Sequence, residues 1–340
     1  MRKLNVLVAG STGYIGIQLV KLLVKHQNVN IMYLCGNSSV GKDISFFDKD
    51  LKYKKLPKIV KFNKSYLNKV DIIFTALPNG EAQLLSHHLL KKNRLIDLAA
   101  DFRLEDPKEY KKWYKINHQA KYNIKNSIYA LPEIRKKHLK NYKIIGCPGC
   151  YPTSILLPLL PLLKKKLISQ KNIIIDSKSG YSGAGRGIHK RYANKNLYES
   201  LSVYGIGWHR HNSEIHQEIA KVCKKQFEFS FTPHLTPMFR GILSTIYLET
   251  SKNINAKKIF KSLKKVYRKD FFIRFAKFNK PISTNDVINT NNCLISVCES
   301  KYHNKIIILS AIDNLIKGGS GQGLQNMNII YNFPESRGLK

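Results

Sequence analysis

Leu4-Asn5-Val6-Leu7-Val8-Ala9-Gly10-Ser11-Thr12-Gly13-Tyr14-Ile15-Gly16 is the stretch that decides the fold. Its first six residues form a short, valine-bearing apolar run, the pattern of a buried strand. Three glycines follow at a G-x-x-G-x-x-G spacing. Beyond them Ile15, Leu19, Leu22 and Leu23 recur at helical intervals. Glycine is needed where the backbone turns sharply and where a pyrophosphate touches it. The N-terminus of the helix then offers unpaired N–H groups and a positive dipole end to the phosphates. A glycine spacing alone is also what a structural turn looks like; the strand before it and the helix after it make this a dinucleotide fingerprint.

Further along, apolar runs at 29–34, 71–76, 94–99 and 143–146 read as strands separated by helical or turn segments. Strand, helix, strand in repetition predicts a parallel sheet with helices on both faces. The second half changes character. Runs at 173–177, 227–231, 243–249, 293–299 and 305–312 are longer and more alternating, with a helical segment at 256–267 and a last helix at 321–331. That pattern predicts a mixed, largely antiparallel sheet. The fold class is α/β: a Rossmann-type dinucleotide-binding domain followed by an α+β catalytic and oligomerisation domain. The boundary falls between 146 and 150.

An enzyme selecting NAD places an acidic residue about 20 positions on, where it meets the ribose 2′-hydroxyl. Here the second strand is followed by Cys35-Gly36-Asn37-Ser38-Ser39-Val40-Gly41-Lys42, with no acid before Asp43. An amide, hydroxyls and Lys42 suit a 2′-phosphate better, so the expected cofactor is NADP(H).

The 340 residues are 43% hydrophobic, enough to bury two cores. Lys and Arg total 58 against 22 for Asp and Glu, a formal charge of +36. Such an excess can mark a nucleic-acid or membrane surface. Lysine, however, outnumbers arginine roughly fourfold and is spread along the whole chain, as codon drift in an AT-rich genome produces. Neither nucleic acid nor membrane is expected as a partner. The longest apolar stretch, 155–163, is interrupted by Pro158 and Pro161 and is too short to span a bilayer. With no secretory signal and no disulfide pattern among its six cysteines, the chain is expected to be cytoplasmic.

Gly146-Cys147-Pro148-Gly149-Cys150-Tyr151-Pro152-Thr153 lies between a strand and an apolar helix, with Pro152 suited to the first helical turn. Cys150 would then sit at a helix N-terminus, a setting that lowers a thiol pKa and supplies thiolate. Spacing alone equally allows an ordinary buried cysteine in a turn. Cys147 and Cys150 also make a C-x-x-C pair. That can be a redox couple or half of a zinc site, but no second pair completes a metal site, so no metal is expected. In Trp208-His209-Arg210-His211-Asn212-Ser213-Glu214-Ile215, Asn212 or Ser213 can cap a helix whose apolar face holds Ile215, Ile219 and Val222. Both histidines then fall in the loop before it, either as proton carriers for a thiol or as solvated loop residues.

Together these stretches carry a specific resemblance. It runs through Gly10 to Gly16, Ala76-Leu77-Pro78, Asp97-Leu98-Ala99-Ala100-Asp101-Phe102-Arg103-Leu104, Tyr129-Ala130-Leu131-Pro132-Glu133 and Pro148 to Thr153. It continues through Ser182-Gly183-Ala184-Gly185-Arg186, His209-Arg210-His211, Phe231-Thr232-Pro233-His234-Leu235, Arg240-Gly241 and Asp313-Asn314-Leu315-Ile316-Lys317-Gly318. In this order the chain resembles the N-acetyl-gamma-glutamyl-phosphate reductases, NADPH enzymes of arginine biosynthesis.

The resemblance implies that Cys150 attacks the acyl phosphate, that His209 is the acid/base, and that His211 and Glu214 are its alternates or touch substrate. It implies that Arg103, Arg186 and Arg240 hold phosphate or carboxylate groups of N-acetylglutamyl phosphate. The cofactor residues would be Gly10, Ser11, Thr12, Gly13, Tyr14, Ile15, Gly16, Asn37, Ser38, Ala76, Leu77, Pro78, Ser182, Gly183 and Asn314. It also implies a homo-oligomer, dimer or tetramer, and an NADP-binding domain of residues 1–149 completed by 313–340, around a catalytic domain of 150–312. The sequence departs from the family at three places: Cys147 stands where asparagine is usual, Ser213 where proline is usual, and Asn37 where arginine is usual. Aspartate-semialdehyde dehydrogenases and aminoadipyl-phosphate reductases share the architecture. The His-Arg-His and Ser-Gly-Ala-Gly-Arg stretches favour the glutamyl enzymes over the aspartate ones; the aminoadipyl enzymes stay an alternative, because one methylene discriminates weakly.

Overall fold

The computed structural model describes residues 2–187, 199–224, 226–302 and 304–340. The chain divides into two compact units, Met1–Gly149 with Gly319–Lys340, and Cys150–Gly318.

The first unit runs β1 (Leu4–Ala9), α1 (Tyr14–Val24), β2 (Val29–Cys35), β3 (Ile59–Val60), β4 (Ile72–Thr75), α2 (Glu81–Ser86), β5 (Arg94–Asp97), α3 (Pro107–Tyr114), α4 (Lys121–Ile124), β6 (Ser127–Tyr129), α5 (Pro132–Arg135) and β7 (Ile144–Gly146). The strands lie in the order β3-β2-β1-β4-β5-β7-β6, and every pairing is parallel. Val6, Leu7, Val8, Ile73 and Phe74 are fully buried, which is why these strands read as unbroken apolar runs rather than alternating ones. Strand order reverses at β1, which pairs with β2 on one side and β4 on the other. In open parallel sheets such a switch point opens a crevice at the carboxyl ends of the strands, where ligands bind.

The second unit runs α6 (Cys150–Lys164), β8 (Ile173–Gly180), β9 (Ser202–Val203), α7 (His211–Cys223), β10 (Phe229–Thr236), β11 (Ile242–Glu249), α8 (Ala256–Val266), β12 (Ile273–Phe275), β13 (Cys293–Glu299) and β14 (Lys305–Ile312). Its sheet has the order β12-β13-β14-β11-β8-β10-β9. The pairs β11·β14, β11·β8, β13·β14 and β10·β9 are antiparallel, while β10·β8 and β12·β13 are parallel. The sheet is therefore mixed and largely antiparallel, as the alternating runs predicted.

Two prolines sit inside α6, Pro158 and Pro161. A proline cannot donate to the carbonyl four residues earlier. For Pro161 that carbonyl belongs to Leu157, and the Tyr267 hydroxyl takes it instead. A buried hydroxyl chain, Ser154 to Ser244 to Ser177 with both contacts at 2.7 Å, fixes α6 over β11 and β8.

A π-helical turn at Ile316–Ser320 leads into α9 (Gly321–Ile330), part of the first unit. Gly323 lets α9 approach closely, because a Cβ there would lie 2.5 Å from the Leu98 side chain. His26, two residues past the end of α1, and Asn328 of α9 then hydrogen-bond at 2.9 Å.

Candidate active site

The crevice at the β1–β4 switch point is a cavity of about 680 Å³. Gly10, Thr12, Gly13, Asn37, Ser38, Ala76, Leu77 and Pro78 all line it. Gly10 has φ +81°, and a Cβ there would lie 2.3 Å from the Ala76 carbonyl oxygen, so only glycine lets the loop close on β4. The other expected cofactor residues in this loop do not line the cavity. Ser11 is fully buried and its hydroxyl donates to the Cys35 carbonyl. Gly16 packs against Gly10, where a Cβ would lie 2.2 Å from its carbonyl oxygen. Tyr14 and Ile15 open α1 but are not among the cavity-lining residues.

The residues fit a dinucleotide. α1 follows Gly13 with no side-chain hydrogen bond from its N-cap and no acidic residue in its first turn, so its first turn sets no negative side chain against the positive dipole end that an anion would meet. The 2′ end differs from the sequence expectation. Lys42 does not line the cavity, because its ammonium lies 4.7 Å over the Phe46 ring. Lys61 and Phe62, from the end of β3, line it instead.

The Asp97–Leu104 stretch builds walls. Asp101 is fully buried, accepts the backbone N–H groups of Gly80, Ala82 and Gln83 and the Tyr110 hydroxyl, and so caps α2 and fixes the loop after Pro78. Asp97 accepts from Thr75 and from the backbone of Ala99 and Phe102; burial and the Asp101 carboxylate raise its pKa. Arg103 is only 8% exposed and donates to the carbonyls of Cys147 and Leu98 at 2.8 and 3.2 Å. These bonds tie it to the chain that leads to Cys150.

α6 starts at Cys150, which is half-buried. A thiol there meets the positive end of a 15-residue helix. Cys147 is its opposite: fully buried, with Asn326 3.6 Å from its sulfur, and burial pushes its thiol up to about 12. The two are not joined by a disulfide. The two cysteines of the C-x-x-C pair therefore have unlike environments, and only Cys150 has one suited to attack.

Tyr151 carries the first turn of α6 onto the histidines. Its ring lies edge-on to His209, His211 and Phe231 at 5.5, 5.8 and 5.3 Å, and its hydroxyl meets Tyr204 and the His234 carbonyl, each at 3.1 Å. Burial raises its phenol pKa, so it stays protonated. α7 starts at His211 with Arg210 as N-cap, not at Asn212 or Ser213; Ser213 instead bonds back to the Arg210 carbonyl. Only His209 is therefore a loop residue. Its Nδ1 accepts the His211 backbone N–H at 3.2 Å, and burial followed by the charge of Arg210 pushes its pKa down to about 4. At neutral pH the ring is uncharged and its proton sits on Nε2. His211 faces the fully buried Glu214 at 3.8 Å in the first turn of α7.

Around this turn the matched motifs hold one another. Asn314 accepts the Gly241 N–H at 2.7 Å and donates to Ser182 at 2.9 Å, so both ends of its amide are used internally. Gly183 lies over that amide. Arg240 bonds Asn289 and the fully buried Asp313 at 2.9 and 3.1 Å. Arg186 is exposed. Gly318, to which the sequence assigned no role, packs on the nucleophile: a Cβ there would lie 2.6 Å from the Cys150 Cβ.

Comparison with known proteins agrees with this layout. Residues 5–142 match the family described as semialdehyde dehydrogenase, NAD binding domain, and residues 150–314 the one described as semialdehyde dehydrogenase, dimerisation domain. The N-acetyl-gamma-glutamyl-phosphate reductase of Desulforamulus reducens is 40% identical over 98% of this chain and 96% of its own. That of Clostridium novyi is 41% identical over the same shares. Among solved structures, aspartate semialdehyde dehydrogenase II of Vibrio cholerae superposes with a TM-score of 0.72 at 17% identity, covering 98% of this chain and 99% of that one. Aspartate semialdehyde dehydrogenase with NADP from Candida albicans does so at 0.68 and 16%, covering 97% and 98%. At that identity the structural likeness speaks for the fold.

Proposed function

We propose the following reaction for this chain, which belongs to the N-acetyl-gamma-glutamyl-phosphate reductase family: NADPH-dependent reduction of N-acetyl-L-glutamyl 5-phosphate to N-acetyl-L-glutamate 5-semialdehyde and phosphate, in arginine biosynthesis. What carries the reading is a half-buried cysteine at the start of α6 in a chain about 40% identical, end to end, to reductases of that name.

The Cys150 thiolate attacks the acyl carbon. A C–S bond forms, the carbon–oxygen bond to phosphate breaks, and phosphate leaves with the electron pair. When bound, NADPH supplies the hydride that reduces the thioester carbon. His209, neutral and protonated on Nε2, donates a hydrogen bond to the oxygen on which charge gathers in both steps. Collapse of the hemithioacetal breaks the C–S bond, releases the aldehyde and returns Cys150 to thiolate. Gly10, Thr12 and Gly13 hold the pyrophosphate and the carboxyl end of β2 holds the adenosine ribose. Arg103, Arg186 and Arg240 are the arginines assigned to meet the anionic groups of the substrate.

The second unit is proposed to carry a homo-oligomer contact. The description of its family as a dimerisation domain supports this, as do the exposed Ile174 and Tyr247 on its sheet. No helix among the described residues is long and apolar enough to cross a membrane, and we place the reaction in the cytoplasm.

The test is a substrate panel run in the aldehyde-oxidising direction with phosphate and NADP. N-acetylglutamate semialdehyde is expected to be the preferred aldehyde. Preference for aspartate semialdehyde would replace this reading with that of the structural neighbours.

A further inference from the structure

An anionic 2′-phosphate needs a cation, and the loop after β2 provides none that reaches the site. Asn37, Ser38 and Ser39 are neutral, and the Lys42 ammonium is engaged over Phe46. The sheet supplies the cation from elsewhere. β3 pairs in parallel with β2, Cys35 facing Val60, and the Gly36 N–H donates to the Val60 carbonyl at 3.1 Å. The next residue, Lys61, therefore emerges beside Gly36, at the carboxyl end of β2 where the ribose 2′ position is met in this fold. Four titratable side chains line the cavity: Cys35, whose thiol burial pushes up to about 12 and so keeps neutral, and Lys61, Glu81 and His88. Glu81 opens α2 and His88 follows it; both lie on the β4 side of β1, away from β2. Lys61 is exposed and makes no ion pair or hydrogen bond through its side chain with any described residue.

We propose that Lys61 is the residue that selects NADPH over NADH, by binding the 2′-phosphate from the strand adjoining β2. The inference rests on the cofactor reading above. Charge-assisted contact of an ammonium with phosphate is direct and salt-sensitive. Its loss weakens binding of the phosphorylated cofactor alone.

The test is fluorescence titration of the full-length protein with NADPH and with NADH, without substrate, at low and at moderate salt. Lys61→Gln is expected to weaken NADPH about tenfold and to leave NADH unchanged, the size of one lost charge-assisted bond. It should also flatten the salt dependence of NADPH binding, and Lys61→Arg should restore both. Lys42→Gln should bind like the parent. A parent that prefers NADPH, with Lys61→Gln unchanged or weakened equally for both cofactors, would overturn the role of Lys61 and leave the cofactor reading standing. A parent that binds NADPH and NADH equally would overturn the cofactor reading itself, and the inference with it. Lys61 is exposed, so the variant is expected to fold, and near-parental NADH affinity is the internal check.

Discussion

In the first unit the ligand site exists because atoms are missing; in the second it exists because side chains hold one another. Gly10 and Gly16 act through the Cβ they lack, one against the Ala76 carbonyl and the other against Gly10. Around Cys150, Asn314 holds Ser182 and Gly241, and Asp313 holds Arg240. A site made from backbone needs only the right turn after the right strand. A site made from side chains needs residues from segments more than a hundred positions apart. The difference teaches that matched motif residues divide into those that touch ligand and those that aim their neighbours, and burial with hydrogen bonding tells which.

If the two plans are independent, each can be broken without the other. Gly10→Ala should do most harm in the first unit, because the added methyl meets a carbonyl at 2.3 Å and φ is +81°. NADPH affinity should fall at least about a hundredfold, that is some 2.7 kcal/mol. Alkylation of Cys150 by iodoacetamide should keep its parental rate. Gly318→Ala should do the reverse, since its methyl would press on Cys150. Turnover should drop about a hundredfold, the size of effect that an ångström of misplacement produces. Titration should find NADPH affinity unchanged. Loss of both properties in either variant would show that the two regions are one cooperative device.

Asn314→Ala sharpens the comparison at smaller scale. It leaves the buried Gly241 N–H and Ser182 hydroxyl without their partner, which costs about 1–3 kcal/mol. Denaturant unfolding measures this. An Asn314 that instead touches cofactor would show its main effect in NADPH affinity, with little change in stability.

The fold was legible because parallel strands buried on both faces are continuous apolar runs, and because glycine marks turns wherever it is required. β1, β13 and β14 begin and end where the hydrophobic pattern does. β3 and β6, of two and three residues, are too short to show any period. Lys61 follows the shorter of them: nothing in Lys58-Ile59-Val60-Lys61 marks it, and only sheet order sets it beside Gly36. Lys42 is near Asn37 in sequence, but the aromatic ring four residues on holds its charge. Gly318 stood inside a recognised motif without a role, since its role is a contact with a residue 168 positions earlier in the chain. Nothing in the sequence around Arg103 tells that it donates to the carbonyls of Cys147 and Leu98, since the first lies 44 positions away.

The smallest expected effect is one of pH. His209 has a folded pKa of about 4, below the 6.5 of a free histidine. Between those values the unfolded chain binds the extra proton, so the part of stability owed to a neutral His209 is full above pH 6.5 and declines as pH falls toward 4. His209→Gln should flatten that decline in denaturant titrations. It should also slow turnover, and in the parent the acid limb set by His209 should lie near pH 4, not near neutrality. A parental break near pH 6.5 that vanishes in His209→Gln would mean that the working histidine is the charged form.

The most direct test of the account is the rate at which NADPH forms from N-acetylglutamate semialdehyde, phosphate and NADP, measured for the parent and for Cys150→Ala. The parent should turn over steadily, and the variant should fall by at least about 10⁴-fold, the scale of losing a nucleophile, with its NADPH affinity intact. A Cys150→Ala protein working at a rate near that of the parent would contradict the account at its centre.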